Sequence, residues 1–96
     1  MPAYVIAQLT VTDPDGFEAY RQAVPPVIEA HGGRYLVRGG EVSKLEGDPG
    51  RPRIIVLEFP DKAAAENFYN SPEYQKILPM RLNTATGSVI IVEGGV

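Results

Sequence analysis

Arg38, Glu58, Tyr69, Tyr74 and Arg81 are the side chains of this sequence best suited to chemistry. Arg38 and Glu58 sit inside strand-like segments, RYLVR and RIIVLEF, where desolvation makes an unpaired charge costly. They read in two ways. In one, the guanidinium anchors an anion and the carboxylate, its pKa raised in a low-dielectric cleft, serves as acid or base near neutrality. The cleft would lie between sheet and helices or between subunits. In the other, Arg38 forms a cross-strand ion pair with Glu58 or Glu46. Tyr69 and Tyr74 flank Ser71. Either their hydroxyls donate to a bound ligand while the rings form an apolar wall, or they are core aromatics with satisfied hydroxyls. Arg81 is a candidate carboxylate clamp; the alternative is a pairing with a nearby acid or a solvated charge.

His31 is the only histidine and there is no cysteine. It reads as a proton shuttle, a single axial haem ligand, or a cation favoured by the end of a helix. The usual zinc sets and the two-histidine iron triad cannot form within one subunit from such a chain. The sequence contains no Walker loop, no G-x-G-x-x-G and no G-x-S-x-G; its glycine pairs fall at turns and helix ends. No cofactor or metal is expected.

The elements that position these residues follow from local patterning. Residues 3–11, AYVIAQLTV, are β-branched, uncharged and free of Gly and Pro, and read as a strand. Asp13-Pro14 is a helix start, N-cap followed by first-position proline. Phe17, Tyr20, Val24, Val27 and Ile28 then form one apolar helical stripe. Pro25-Pro26 interrupts it, which predicts a kink or two short helices in line. Gly32-Gly33 is a C-cap pair.

Strands are expected at 34–38 and 53–59. The 14 residues between, Gly39 to Pro52, are long for a plain hairpin loop. Val42 and Leu45 suggest continued pairing after a bulge at Gly39-Gly40, with the turn near GDPGRP. Asp61 caps a helix at 62–70 with Ala64, Ala65, Phe68 and Tyr69 inward. Ser71-Pro72 restarts a short helix, 79–87 is irregular, and SVIIVE at 88–93 is the last strand.

The order β-α-β-β-α-β predicts a four-stranded antiparallel sheet with two helices on one face. The third and fourth strands are aliphatic on both faces, unlike half-solvated antiparallel strands. The helix-free face, expected to carry Ile54, Val56, Val89 and Ile91, therefore reads as an interface. Against a twin sheet it would bury on the order of 1,600 Å², and at about 25 cal/mol per Å² the gross gain exceeds typical association costs. A face-to-face homodimer is expected.

With 96 residues the chain reads as a single domain spanning 1–96, and 44% apolar content fits a globular protein. A net charge of −3 with no basic stripe argues against a nucleic-acid partner. Met1 leads into AYVIAQLTV without a basic leader or cleavage site, and no stretch approaches the ~20 apolar residues of a membrane span. Absence of cysteine fits a reducing cytoplasm.

These features resemble the dimeric α+β barrel superfamily, whose ferredoxin-like subunits pack their sheets together. Within it the chain is similar to the family known as domain of unknown function 1330. The similarity covers nearly the whole chain and is carried by GGRYLVRGG at 32–40, LEG at 45–47, VLEFPD at 56–61, FYNSPEY at 68–74 and VEG at 92–94. The resemblance implies the ferredoxin-like fold and the dimer and brings no established activity. Relatives in the wider superfamily include cofactor-free monooxygenases, haem-handling enzymes and plain binding modules, so shared fold does not select a chemistry.

Two functions follow. In the first, the protein binds or transforms a small anionic or carbonyl metabolite, with Arg38 and Arg81 on the oxygen, Glu58 moving a proton and Tyr69 and Tyr74 shaping the pocket. In the second, it is a non-catalytic dimeric ligand-binding or assembly module; amino-acid-sensing domains have the same strand order. RNA binding shares that order too, but it needs aromatic and basic residues on the open face.

Overall fold

Alternation sets the first strand. In β1 (Ala3–Val11), Ala3, Val5, Ala7 and Leu9 are buried while Tyr4, Ile6, Gln8 and Thr10 are only half covered. The structure, a computed structural model, describes residues 1–94. Its order is β1, α1 (Pro14–Ala30), β2 (Arg34–Arg38), β3 (Arg53–Phe59), α2 (Lys62–Asn70), α3 (Pro72–Leu82) and β4 (Ala85–Glu93). The four strands form an antiparallel sheet in the order β2-β3-β1-β4, with the helices on the face that carries Val5 and Leu9.

Three helices cover that face, the second of the two in the β-α-β-β-α-β pattern being divided at Ser71, where a helix restart was expected. Ser71 separates α2 from α3: its backbone is extended (φ −65°, ψ 148°), and its hydroxyl accepts from the Tyr74 N–H at 3.1 Å. α3 is also longer than the short helix expected and leaves no irregular stretch at 79–82. It runs through Pro79, whose missing N–H frees only the carbonyl of Gln75, an exposed residue that water can serve.

α1 likewise runs unbroken through Pro25-Pro26, without the division expected there. Proline at 25 strips the Arg21 carbonyl of its helical donor. Arg38 Nη2 supplies a replacement at 3.5 Å from the facing strand. The helix ends as anticipated at Gly32-Gly33: with Gly32 at φ 78°, the Gly33 N–H bonds the Ile28 carbonyl and the Gly32 N–H that of Glu29, both at 3.0 Å.

Pairing between β2 and β3 departs from expectation. No strand continues beyond Arg38 through Val42 or Leu45, and Leu45 is 95% exposed. The bulge lies inside β2. Tyr35 pairs with Leu57 and Val37 with Val56, so Leu36 is the extra residue. A one-residue insertion reverses every following side chain. Arg34 faces the helix-free side with Glu58, whereas Arg38 is turned to the helix side with Ile55.

β4 also takes the phase opposite to that expected. Val89 pairs with Ala7 and Ile91 with Val5, which puts both on the helix side. The helix-free face instead carries Ile90 and Val92, with Ile6, Ile54 and Val56 beside them. Ile90 is 50% and Val92 42% exposed. Both phases present aliphatics, so alternation within β4 could not choose between them.

Candidate functional site

A cavity of about 40 Å³ lies between the sheet and helices α1 and α3. It is lined by aliphatic side chains of β1 and β3 and by Tyr20, Tyr35, Tyr69, Tyr74, Arg81 and Val89. One water needs roughly 10–15 Å³, so the space takes a few atoms of a ligand. A shallower groove of about 240 Å³ over β4 shares Val5, Tyr69 and Val89 with it and is lined also by Ile90 and Ile91.

The polar heads in this apolar space converge. Tyr20 comes from the buried stripe of α1 and Tyr74 from the first turn of α3, and their hydroxyl oxygens lie 2.9 Å apart. Arg81, on the last turn of α3, donates from Nε to the Tyr74 oxygen at 3.4 Å, a long bond. Arg81 as a whole residue is only 7% exposed. The Tyr69 ring packs on Tyr74 at 5.3 Å between centroids, and Tyr20 meets Tyr74 edge-on at 6.4 Å.

Burial drives the Tyr20 hydroxyl far above the ordinary phenol range, and neighbouring Tyr74 raises it further. Burial also raises Tyr35, against the pull of Arg38. For Arg81 burial works to lower the pKa, but the oxygens of Tyr74, Tyr20 and Tyr69 outweigh it and hold the guanidinium above its ordinary value. Near neutral pH, Tyr20 and Tyr35 are neutral phenols and Arg81 is a cation. That set suits a carbonyl or anionic oxygen.

Of the five residues singled out in the sequence, Tyr69, Tyr74 and Arg81 meet at this cavity. Arg81 is neither solvated nor ion-paired among the described residues; its partner is a phenol. Glu58 does not join them. It lies on the helix-free face and pairs with Arg34 at 2.8 Å. The anticipated ion pair of Arg38 with Glu58 or Glu46 does not form, because the Leu36 bulge puts Arg38 on the other side of the sheet. Arg38 lies instead over the Tyr35 ring, 4.6 Å from its centroid. Among the described residues no carboxylate lines the cavity.

His31 is the cap residue ending α1. A carbonyl can only accept, so its Nδ1 carries the proton shared with Val27 O at 2.8 Å. It does not line the cavity, and no group of three or more His, Cys, Asp or Glu among the described residues is placed to hold a metal ion. Tyr20 was read from the sequence only as a member of the apolar stripe. The available signal was its hydroxyl, since a buried phenol needs a partner where phenylalanine needs none.

Sheet order and helix placement define a ferredoxin-like α+β fold. The chain belongs to the family described as Domain of unknown function (DUF1330), whose model matches residues 2–95. Among solved structures it is similar to a protein of unknown function from Rhodopseudomonas palustris, RPA0582, with TM-score 0.78 and 19% identity over 99% of this chain and 83% of that one. A dimeric ferredoxin-like protein of unknown function from Jannaschia sp. CCS1 matches with TM-score 0.64 and 18% identity over the whole of both chains. SnoaB from Streptomyces nogalater, a cofactor-independent oxygenase, matches with TM-score 0.64 and 13% identity over 99% and 94%. At these identities the likeness is one of fold. No curated protein matches the sequence. No helix among the described residues is long and apolar enough to cross a membrane.

Proposed function

We propose that this protein is a cytoplasmic homodimer that binds a small, largely apolar metabolite carrying one carbonyl or anionic oxygen in the cavity between sheet and helices. The observation that carries the proposal is the Tyr20–Tyr74–Arg81 cluster at the wall of an apolar cavity. Arg81 and the Tyr74 hydroxyl hold the ligand oxygen, Tyr20 fixes the Tyr74 hydroxyl, and Tyr69 and Val89 wall the cavity on the side of the β4 groove. The absence of a carboxylate among the described lining residues favours binding over carboxylate acid–base catalysis.

The dimer part rests on Ile6, Ile54, Val56, Ile90 and Val92, aliphatics on a sheet face that no helix covers. An uncovered apolar face of this kind favours an interface. The dimeric state of the Jannaschia protein of like fold supports it. In that arrangement the Arg34–Glu58 pair would lie between subunits.

Native mass spectrometry of fresh protein with metabolite extracts tests both parts. The expected result is a dimer retaining a small molecule that is lost in Arg81→Leu and Tyr74→Phe. Retention by both variants equal to that of the wild type would refute the cavity assignment. A second reading, cofactor-independent oxygenation, is favoured only by the fold shared with SnoaB. Oxygen consumption with the retained molecule as substrate would establish it.

A further inference from the structure

Arg21, Arg38 and Arg53 come from α1, β2 and β3 and meet at the β2 side of the helix–sheet layer. The Arg53 guanidinium carbon is 5.2 Å from the centroid of Phe17, which lies one turn before Arg21 on α1. The same guanidinium packs on Gly39, next to Arg38. A Cβ at Gly39 would come within 2.8 Å of it, and the glycine holds φ 69°. Arg38 reaches back to the Arg21 carbonyl and covers Tyr35.

The charges here are poorly balanced. Among the described residues, the only ion pair made by the three is Arg21 with Glu18, at 3.0 Å. Three cations stand against one carboxylate, in a chain whose net charge is −3. Arg53 Nε is buried without a hydrogen-bond partner. Burial lowers the Arg53 pKa, and Arg21 and Arg38 lower it further. Arg38 spends one of five N–H donors on the helix carbonyl, and its side chain makes no other hydrogen bond among the described residues. Like charges on long side chains spread apart unless something negative holds them, and guanidinium forks match the two-oxygen edge of a carboxylate or phosphate.

We propose that Arg21, Arg38 and Arg53 form an oxyanion site, for a carboxylate or phosphate group, at the α1–β2 edge of the molecule. Tyr35 joins it to the cavity, since its side chain lines the cavity and its ring also carries the Arg38 guanidinium. The site goes beyond the cavity reading and needs neither Tyr74 nor Arg81.

Inorganic phosphate, titrated against sodium chloride at matched ionic strength, tests the site. Phosphate at ten times its Kd is expected to raise the wild-type Tm by roughly 6–11 °C and to broaden its own ³¹P line. Arg53→Gln should abolish both effects. Arg21→Gln, on α1, should do the same and carries the test if Arg53→Gln fails to fold. Sodium acetate in a parallel titration separates the two classes, the larger shift naming the preferred oxyanion. No shift beyond that of matched chloride for either anion, or equal shifts in the wild type and both variants, overturns the proposal. Tyr74→Phe keeps the phosphate response if the site is as described, so failure at the cavity and failure here are told apart.

Discussion

The hydroxyl oxygens of Tyr20 and Tyr74 lie 2.9 Å apart although 54 residues separate them in the chain. Each phenol satisfies the other in a space with little else to bond, and Arg81 is the third member. Removing the Tyr74 hydroxyl therefore strands two groups, the Tyr20 hydroxyl and Arg81 Nε, whereas removing that of Tyr20 strands one.

Tyr74→Phe should destabilise the fold by about 1–3 kcal/mol, the cost of leaving buried donors without acceptors. Tyr20→Phe should cost less, because Arg81 keeps its acceptor. Urea titrations of both variants check the order, and an equal or reversed ranking would discard the three-membered cluster.

Stability should fall in alkali through Tyr20. Its folded-state pKa is raised above the unfolded value of 10.0, chiefly by burial, so the unfolded chain gives up this proton first. The contribution is complete below about pH 10 and is lost as pH rises beyond it, by about 1.4 kcal/mol per pH unit for this one group. Tyr20→Phe should flatten the decline between pH 10 and 11, with the remainder coming from Tyr35, which is raised the same way. Denaturation midpoints measured across that window decide the matter.

Ile90→Glu should produce a monomer. Ile90 is 50% exposed in a single subunit, at the face assigned to the dimer, and a buried unpaired carboxylate there costs several kcal/mol. That corresponds to a loss of at least roughly 10³ in dimer affinity. Sedimentation equilibrium compares the two proteins; a wild type already monomeric at micromolar concentration sinks the prediction.

Arg38 and Pro25 should be energetically coupled. Pro25 removes the N–H that would bond the Arg21 carbonyl, and Arg38 bonds it instead. Arg38→Gln should cost about 0.5–1 kcal/mol in the wild type and close to nothing beside Pro25→Ala, where the helix regains its own donor. A double-mutant cycle by chemical denaturation measures the difference.

Gly87→Ala should unfold the protein or cost more than about 3 kcal/mol. Gly87 holds φ 144° within β4, and a Cβ there would collide with the Gln8 carbonyl oxygen across the sheet. Far-ultraviolet circular dichroism and thermal melts read this directly.

Much of the architecture was legible in order along the chain. Asp13-Pro14, Asp61 and Ser71-Pro72 start helices because a side-chain oxygen answers backbone donors within three residues. Gly32 ends α1 because the turn there needs a left-handed residue. Such signals are local, and a sequence states local chemistry directly. β1 through β3 and α2 fall where patterning put them.

Which side of the sheet each group faces was a tertiary matter. Strands that are aliphatic on both faces carry no phase, so only pairing with β1 sent Val89 and Ile91 inward and Ile90 and Val92 outward. The Leu36 bulge is likewise a property of two strands together. It turned Arg38 to the helix side while Arg34 and Glu58 paired on the other. Tyr20 looked like one more apolar stripe member until α3 brought Tyr74 to it. Residue types named the groups able to bind an anionic oxygen; packing of distant elements chose which of them meet.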